Sequence, residues 1–199
     1  MKYLLTLARG IDALNRRIGR AASWLVLAAV LLSAGNAVVR KAFDFSSNAF
    51  LEMQWYLFAA LFLLCGGYAL LRQEHVKIDL LYGRWSRRTQ VWIDIAGTIL
   101  FLLPFAGLLL ALCWPYFLDA WRSGETSANA GGLVLWWVKL FMPLGFGLLG
   151  LQGLSELVKR IAWLRGEGPD PAESQAQDAE LDPSAALRRG HANEGDAVQ

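Results

Sequence analysis

Four long apolar blocks, each free of charge or nearly so, set the limits on what this 199-residue chain can fold into. Ala21 to Val39 carries no charged residue, and neither does Ile95 to Leu118. Met53 to Leu71 is also charge-free, with Glu52 just before it and Arg72 just after. The fourth block, Leu133 to Val158, is interrupted only towards its ends, by Lys139 and Glu156. Bilayer hydrocarbon is about 30 Å thick, so a helix needs roughly 20 apolar residues to cross it. Strands are a poor alternative, because blocks this long lack period-two alternation. The sequence therefore predicts an all-α integral membrane protein of four transmembrane helices. Its spans fall at about 21–39, 51–72, 92–118 and 133–158, within a membrane domain covering 21–165.

Orientation follows from the basic residues. Lys2, Arg9, Arg16, Arg17 and Arg20 precede the first span, and Arg72, Lys77, Arg84, Arg87 and Arg88 surround the middle loop. Lys159, Arg160 and Arg165 close the fourth span, while the other two loops hold only Arg40, Lys41 and Arg122. Thirteen against three puts both termini and the middle loop in the cytoplasm by the positive-inside rule. The tryptophans agree. Trp24, Trp55, Trp92, Trp114, Trp121, Trp136, Trp137 and Trp163 fall near predicted span ends, as interfacial belts require. Trp85 lies in the middle loop, where a short amphipathic piece on the membrane surface is expected.

Residues 1–20 read as an amphipathic cytoplasmic lead-in, with Leu4, Leu7, Ile11, Leu14 and Ile18 at helical spacing and bases between them. The first span is too long, and its basic approach too extended, for a cleaved signal peptide. Pro104 and Pro115 are expected to kink the third span or mark its end. The loop around "RSGETSANAGG" should be irregular. Residues 166–199, acidic and poor in large apolar side chains, read as a disordered cytoplasmic tail. Cys65 and Cys113 sit in different spans and read as packing residues rather than a disulfide.

The chemistry an enzyme would need is missing. The two histidines, His75 and His191, lie outside every span, which leaves a membrane cytochrome without axial ligands. No Cys/His cluster has zinc spacing, and no serine sits in a nucleophile elbow. "GFGLLG", Gly145 to Gly150, matches a dinucleotide fingerprint literally, but it lies inside a span with no preceding strand. Its better reading is packing. Gly147, Gly150 and Gly153 make one shallow helix face, as do Ala29, Ser33 and Ala37 in span one and Gly107 and Ala111 in span three. Such small residues let membrane helices approach closely. Polar groups keep to the borders: Asn36, Glu52, Gln54 and Lys139 towards one side, Gln152 and Glu156, four apart on one face, towards the other. A midplane without charge argues against this chain being the translocating element.

Two stretches resemble a known family. "LEMQWYLFAALFLLCGGYALLRQEHVKIDLLYGRWSRRTQVWID" and "WRSGETSANAGGLVLWWVKLFMPLGFGLLGLQGLSELVKR" are similar to the small membrane subunit of tripartite ATP-independent periplasmic (TRAP) transporters, the DctQ family. Within it they resemble the mannitol/chloroaromatic-type branch. The resemblance covers about residues 15–165 and rests on four elements. These are Glu52-x-Gln54-Trp55, Glu74-His75-Val76-x-Ile78-Asp79, Gly131-Gly132-Leu133, and Lys139 through Glu156. It implies a non-translocating scaffold in the bacterial inner membrane, partnered by a large DctM-type membrane subunit and a periplasmic substrate-binding protein. It also implies sodium-coupled import of an organic acid, with sodium bound only in the large subunit and no cofactor or metal in this chain.

On that reading, Glu52, Gln54, Trp55, Trp121, Arg122 and Glu125 are candidates for meeting the binding protein. The small-residue faces, with Gln152 and Glu156, are candidates for helix packing or for the large subunit. Arg72, Glu74, His75 and Asp79 form a family-signature cytoplasmic border. Membrane lipid is the surrounding partner, and nothing points to nucleic acid. The alternative is an anchor or assembly subunit of another inner-membrane complex.

Overall fold

A helix buried in lipid satisfies its own backbone, so charge-free blocks of this length leave the chain one regular choice. The computed structural model describes residues 1–44, 47–72, 85–129, 131–168 and 170, and within them the architecture is all-helical. The helices are α1 (Lys2–Phe43), α2 (Asn48–Leu71), α3 (Arg87–Gly97), α4 (Leu103–Ser123) and α5 (Trp136–Leu164). A π-helical turn, Thr98–Leu102, joins α3 to α4. Counting Arg87–Ser123 as one span, four helices are long and apolar enough to cross a membrane.

Lead-in and first span are a single helix with no break at residue 20. At 1.5 Å per residue, the 42 residues of α1 make a rod about 63 Å long, roughly twice the hydrocarbon thickness. Asp44 caps it with a left-handed φ of 51°. The chain then turns back, and Ser47 accepts a hydrogen bond from the Ala49 amide to open α2. The third span carries its irregularity at Pro104. Proline has no amide hydrogen and its ring crowds the preceding turn, and that turn is widened here: Leu103 N donates to Thr98 O. Pro115 and Pro143, by contrast, sit inside continuous helices. Gly124 ends α4 at φ 62°, a conformation open to glycine without strain, and its amide bonds to Ala120 O.

Small side chains make the core. Ala8, Ala22, Ala29, Ala60, Ala106, Ala120 and Ala162 are buried, whereas Trp24, Phe62 and Phe101 stand on the outside. That arrangement is what a lipid-facing bundle requires, since acyl chains give large apolar residues no reason to turn inward. α5 sits at the centre, packed on α1, α2 and α4. α2 and α5 run parallel, with a Cβ at Gly145 falling 2.6 Å from Leu63 O. α4 runs antiparallel to α5. A Cβ at Gly150 would touch Ala106 at 3.7 Å, and one at Gly153 would fall 2.7 Å from Leu102 Cδ2, at the π turn.

These approaches make opposite predictions for neighbouring glycines. Gly145→Ala drives a methyl into the Leu63 backbone, which cannot rotate away, and should destabilise the bundle by about 1–3 kcal/mol. Gly66→Ala meets nothing within 4 Å and should be neutral, or stabilising by up to about 1 kcal/mol through helix propensity. Thermal unfolding of the solubilised protein separates the two, and equal effects would contradict the close α2–α5 contact.

Candidate functional site

Polar side chains gather in two clamps, one at each end of the bundle. The first forms where α2 begins and the segment between α4 and α5 folds over it. Glu52, buried in the second turn of α2, offers both carboxylate oxygens to that segment. Oε1 accepts from Ser127 Oγ and from Asn129 Nδ2 at 2.6 Å, and Oε2 accepts from the Leu133 amide at 2.8 Å. The segment is also closed on itself. Ser127 N donates to Leu133 O and Leu135 N to Glu125 O, both at 2.9 Å, and Thr126 and Val134 form an antiparallel bridge. The loop expected to be irregular has no regular strand among the described residues, but a single bridge closes it into a hairpin turn that one carboxylate fastens to α2. Two separate signature elements, Glu52-x-Gln54-Trp55 and Gly131-Gly132-Leu133, meet in this contact.

Beside it, Lys139 is buried with its ammonium 2.5 Å from Glu125 Oε2 and 3.9 Å from the centroid of the Tyr116 ring. Trp121 and Trp136 meet edge to face and Trp136 stacks on Trp137, both with centroids 4.4 Å apart. Of the candidate docking residues, Glu52 and Glu125 are therefore engaged within the chain. Gln54 is half-buried, and Trp55, Trp121 and Arg122 remain on the surface, Trp55 at 72% exposure.

The second clamp lies at the end of the bundle holding Met1 and the α5 C-terminus. Its centre is Asp12, whose Oδ1 accepts from Gln152 Nε2 at 2.8 Å and Ser155 Oγ at 2.7 Å. Its Oδ2 lies 3.1 Å from Lys159 Nζ. Lys159 also pairs with Glu156, and Arg160 bridges Glu156 at 3.5 Å to Asp94 of α3 at 3.3 Å. Asn15 donates to Gln152 Oε1 at 2.9 Å and occupies the space a side chain at Gly67 would need. Buried charges are tolerated only when paired and hydrogen-bonded. Here three acids and two bases pair across α1, α3 and α5, and Glu156 Oε2 has the Arg160 ion pair but no hydrogen bond among the described residues.

Gln152 and Glu156 do share a face, and that face meets α1 inside the chain. Asp12 and Asn15 were not among the sequence candidates. A signal was present: Ala8, Asp12, Asn15, Gly19 and Ala22 form a small-and-polar stripe at three-to-four spacing, beside the leucine stripe that drew the reading. The leucine stripe is not the packed one; Leu4, Leu7 and Leu14 are 49%, 63% and 45% exposed.

The small-residue faces divide similarly. Gly147, Gly150 and Gly153 face α4, and Ala29 is buried, whereas Ser33, Ala37, Gly107 and Ala111 lie exposed. Arg72 caps α2 and its guanidinium donates to the Tyr68 hydroxyl at 3.1 Å. Glu74, His75, Asp79 and most of the acidic tail lie outside the described residues. No group of three or more His, Cys, Asp or Glu able to hold a metal occurs among the described residues.

Four membrane-length helices, apolar between two end clamps, define a multi-pass membrane protein built as a tied bundle. The profile of the DctQ component of tripartite ATP-independent periplasmic transporters matches residues 29–162, and the chain belongs to that family. It is the small component of a TRAP transporter. Among curated proteins none matches the chain. The matched region holds the Glu52 clamp entire but begins after Asp12 and Asn15, so the second clamp joins family residues to a helical extension preceding them.

Proposed function

We propose that this chain is the static, non-translocating scaffold of a sodium-coupled TRAP transporter that imports an organic acid across the bacterial inner membrane. The observation that carries the reading is the distribution of polar groups. Asp12, Asp94, Glu156, Lys159 and Arg160 form a closed layer at one end, and Glu52, Glu125 and Lys139 are paired at the other. Towards the midplane from these layers, Ala21 to Val39, Met53 to Leu71, Ile95 to Leu118 and Leu140 to Ser155 carry no charge. A translocating element needs groups at depth that bind an ion or substrate and then release it. This bundle holds its ionic side chains in fixed pairs at its ends.

In this reading the thirteen-to-three excess of basic residues places the Asp12 layer on the cytoplasmic side and the Glu52 hairpin on the periplasmic side. The hairpin, with Trp55, Trp121 and Arg122 exposed around it, then faces the substrate-binding protein. Substrate and sodium bind in the large component, and no cofactor is assigned to this chain. Deleting the gene should abolish sodium-dependent uptake of the carboxylate, and restoring it in trans should recover uptake. Undiminished uptake without the chain would refute an essential scaffold.

A further inference from the structure

The outward face of α1 changes chemistry in a fixed order along its length. Ala8, Asn15, Gly19 and Ala22 are buried and make the packed stripe. About 160° round the helix, at about 100° per residue, Arg17, Arg20, Trp24, Leu31 and Val38 share one exposed face. Trp24, Leu31 and Val38 are 71%, 63% and 65% exposed. We propose that Arg17 and Arg20 bind the headgroup phosphate of an anionic phospholipid in the leaflet at the Met1 end of the bundle, with the Trp24 indole beside its ester region. The site goes beyond the transport reading and does not depend on it.

Depth, charge and free donors support the assignment. Ala21 to Val39 is uncharged and, as helix, about 28 Å long, close to the hydrocarbon thickness of about 30 Å. Arg20 and Arg17 then start about 2 and 6 Å outside the hydrocarbon, within a headgroup layer about 5–8 Å deep. Arg9 and Lys2 start about 18 and 28 Å outside, past that layer. Helical side chains lean towards the N-terminus, and Arg20 does so, its Nε donating to Arg16 O at 3.4 Å. That direction draws the guanidinium out of the hydrocarbon and up to the phosphates. Three apart on one face, Arg17 and Arg20 are neighbours on the helix surface and can share one phosphate through charge-assisted hydrogen bonds. Neither makes an ion pair among the described residues, whereas Arg16 has a partner and Arg72 donates to the Tyr68 hydroxyl. An acidic protein surface would also satisfy two guanidiniums. The indole and the aliphatic side chains that follow them, at these depths, match the strata of one leaflet.

The test titrates the full chain in detergent with phosphatidylglycerol or phosphatidylcholine and counts bound lipid by native mass spectrometry. A preference for phosphatidylglycerol of about tenfold or more is expected, since each base near an anionic headgroup is worth about fivefold. Arg17→Gln combined with Arg20→Gln should remove most of that preference. Arg40→Gln combined with Lys41→Gln, at the other end of α1, should leave it in place. Arg17 and Arg20 are exposed, so the melting temperature of their double variant without added lipid should stay that of the unaltered chain. Equal binding of the two lipids overturns the proposal, and so does a preference that survives Arg17→Gln with Arg20→Gln. Displacement of phosphatidylglycerol by an equal concentration of inorganic phosphate also overturns it, by marking a site for a free anion. A double variant that keeps its lipid preference but loses the co-purified large component would show that this face meets protein instead.

Discussion

Asp12→Leu should loosen α1 from α5 and cost about 2–4 kcal/mol of unfolding free energy. The substitution strips Gln152, Ser155 and Lys159 of their shared acceptor. Removing one partner of a buried ion pair typically costs about 3–5 kcal/mol, because the other is left uncompensated. The lower figure is used because Asp12 and Lys159 keep 14% and 19% of their side-chain surface exposed. Asp12→Asn retains an acceptor for Ser155 or Gln152 and should lose less. Lys159→Met added to Asp12→Leu should recover part of the loss, since the stranded ammonium is then gone and Arg160 still serves Glu156. Denaturant unfolding in detergent measures all three. A loss below about 0.5 kcal/mol for Asp12→Leu would mean that the layer contributes little beyond solvation.

Glu52→Leu should release the hairpin between α4 and α5 while leaving the spans in place. Ser127, Asn129 and the Leu133 amide all donate to that carboxylate, and leucine offers none of them an acceptor. Hydrogen exchange at the Leu133 amide should accelerate by at least about tenfold, as hydrogen bonds to charged groups are the stronger class. Glu52→Gln keeps an oxygen for one donor and should fall between the two. Within the scaffold reading, uptake drops in the leucine variant while the large component still co-purifies. An unchanged Leu133 amide would show that the backbone bonds of Ser127 and Leu135 suffice to hold the turn.

The spans were legible because charge-free blocks in lipid admit only helix, and Pro104 announced a local fault by removing an amide. The relation of α1 to the bundle was not. Leucine periodicity at Leu4, Leu7, Ile11 and Leu14 dominates a soluble-protein reading, yet the packed stripe is the one with Ala8, Asp12, Asn15 and Gly19. Between membrane helices, small and polar side chains mark contact, so a leucine stripe by itself does not show which face of α1 is packed. Glu52 and Gly131-Gly132-Leu133 were each singled out as signatures. Their meeting has no local signal, since the pairing joins residues 81 apart in sequence across two intervening helices. Gly147, Gly150 and Gly153 were recognised as a packing face; which helix filled it required the π turn that aims Leu102 at Gly153.

Uptake in proteoliposomes tests the central claim most directly. Vesicles holding this chain alone, the large component alone, or both are given external binding protein and labelled carboxylate under an inward sodium gradient. The account predicts sodium-dependent accumulation only when both membrane components are present, and none with this chain alone. Accumulation by this chain alone would contradict it.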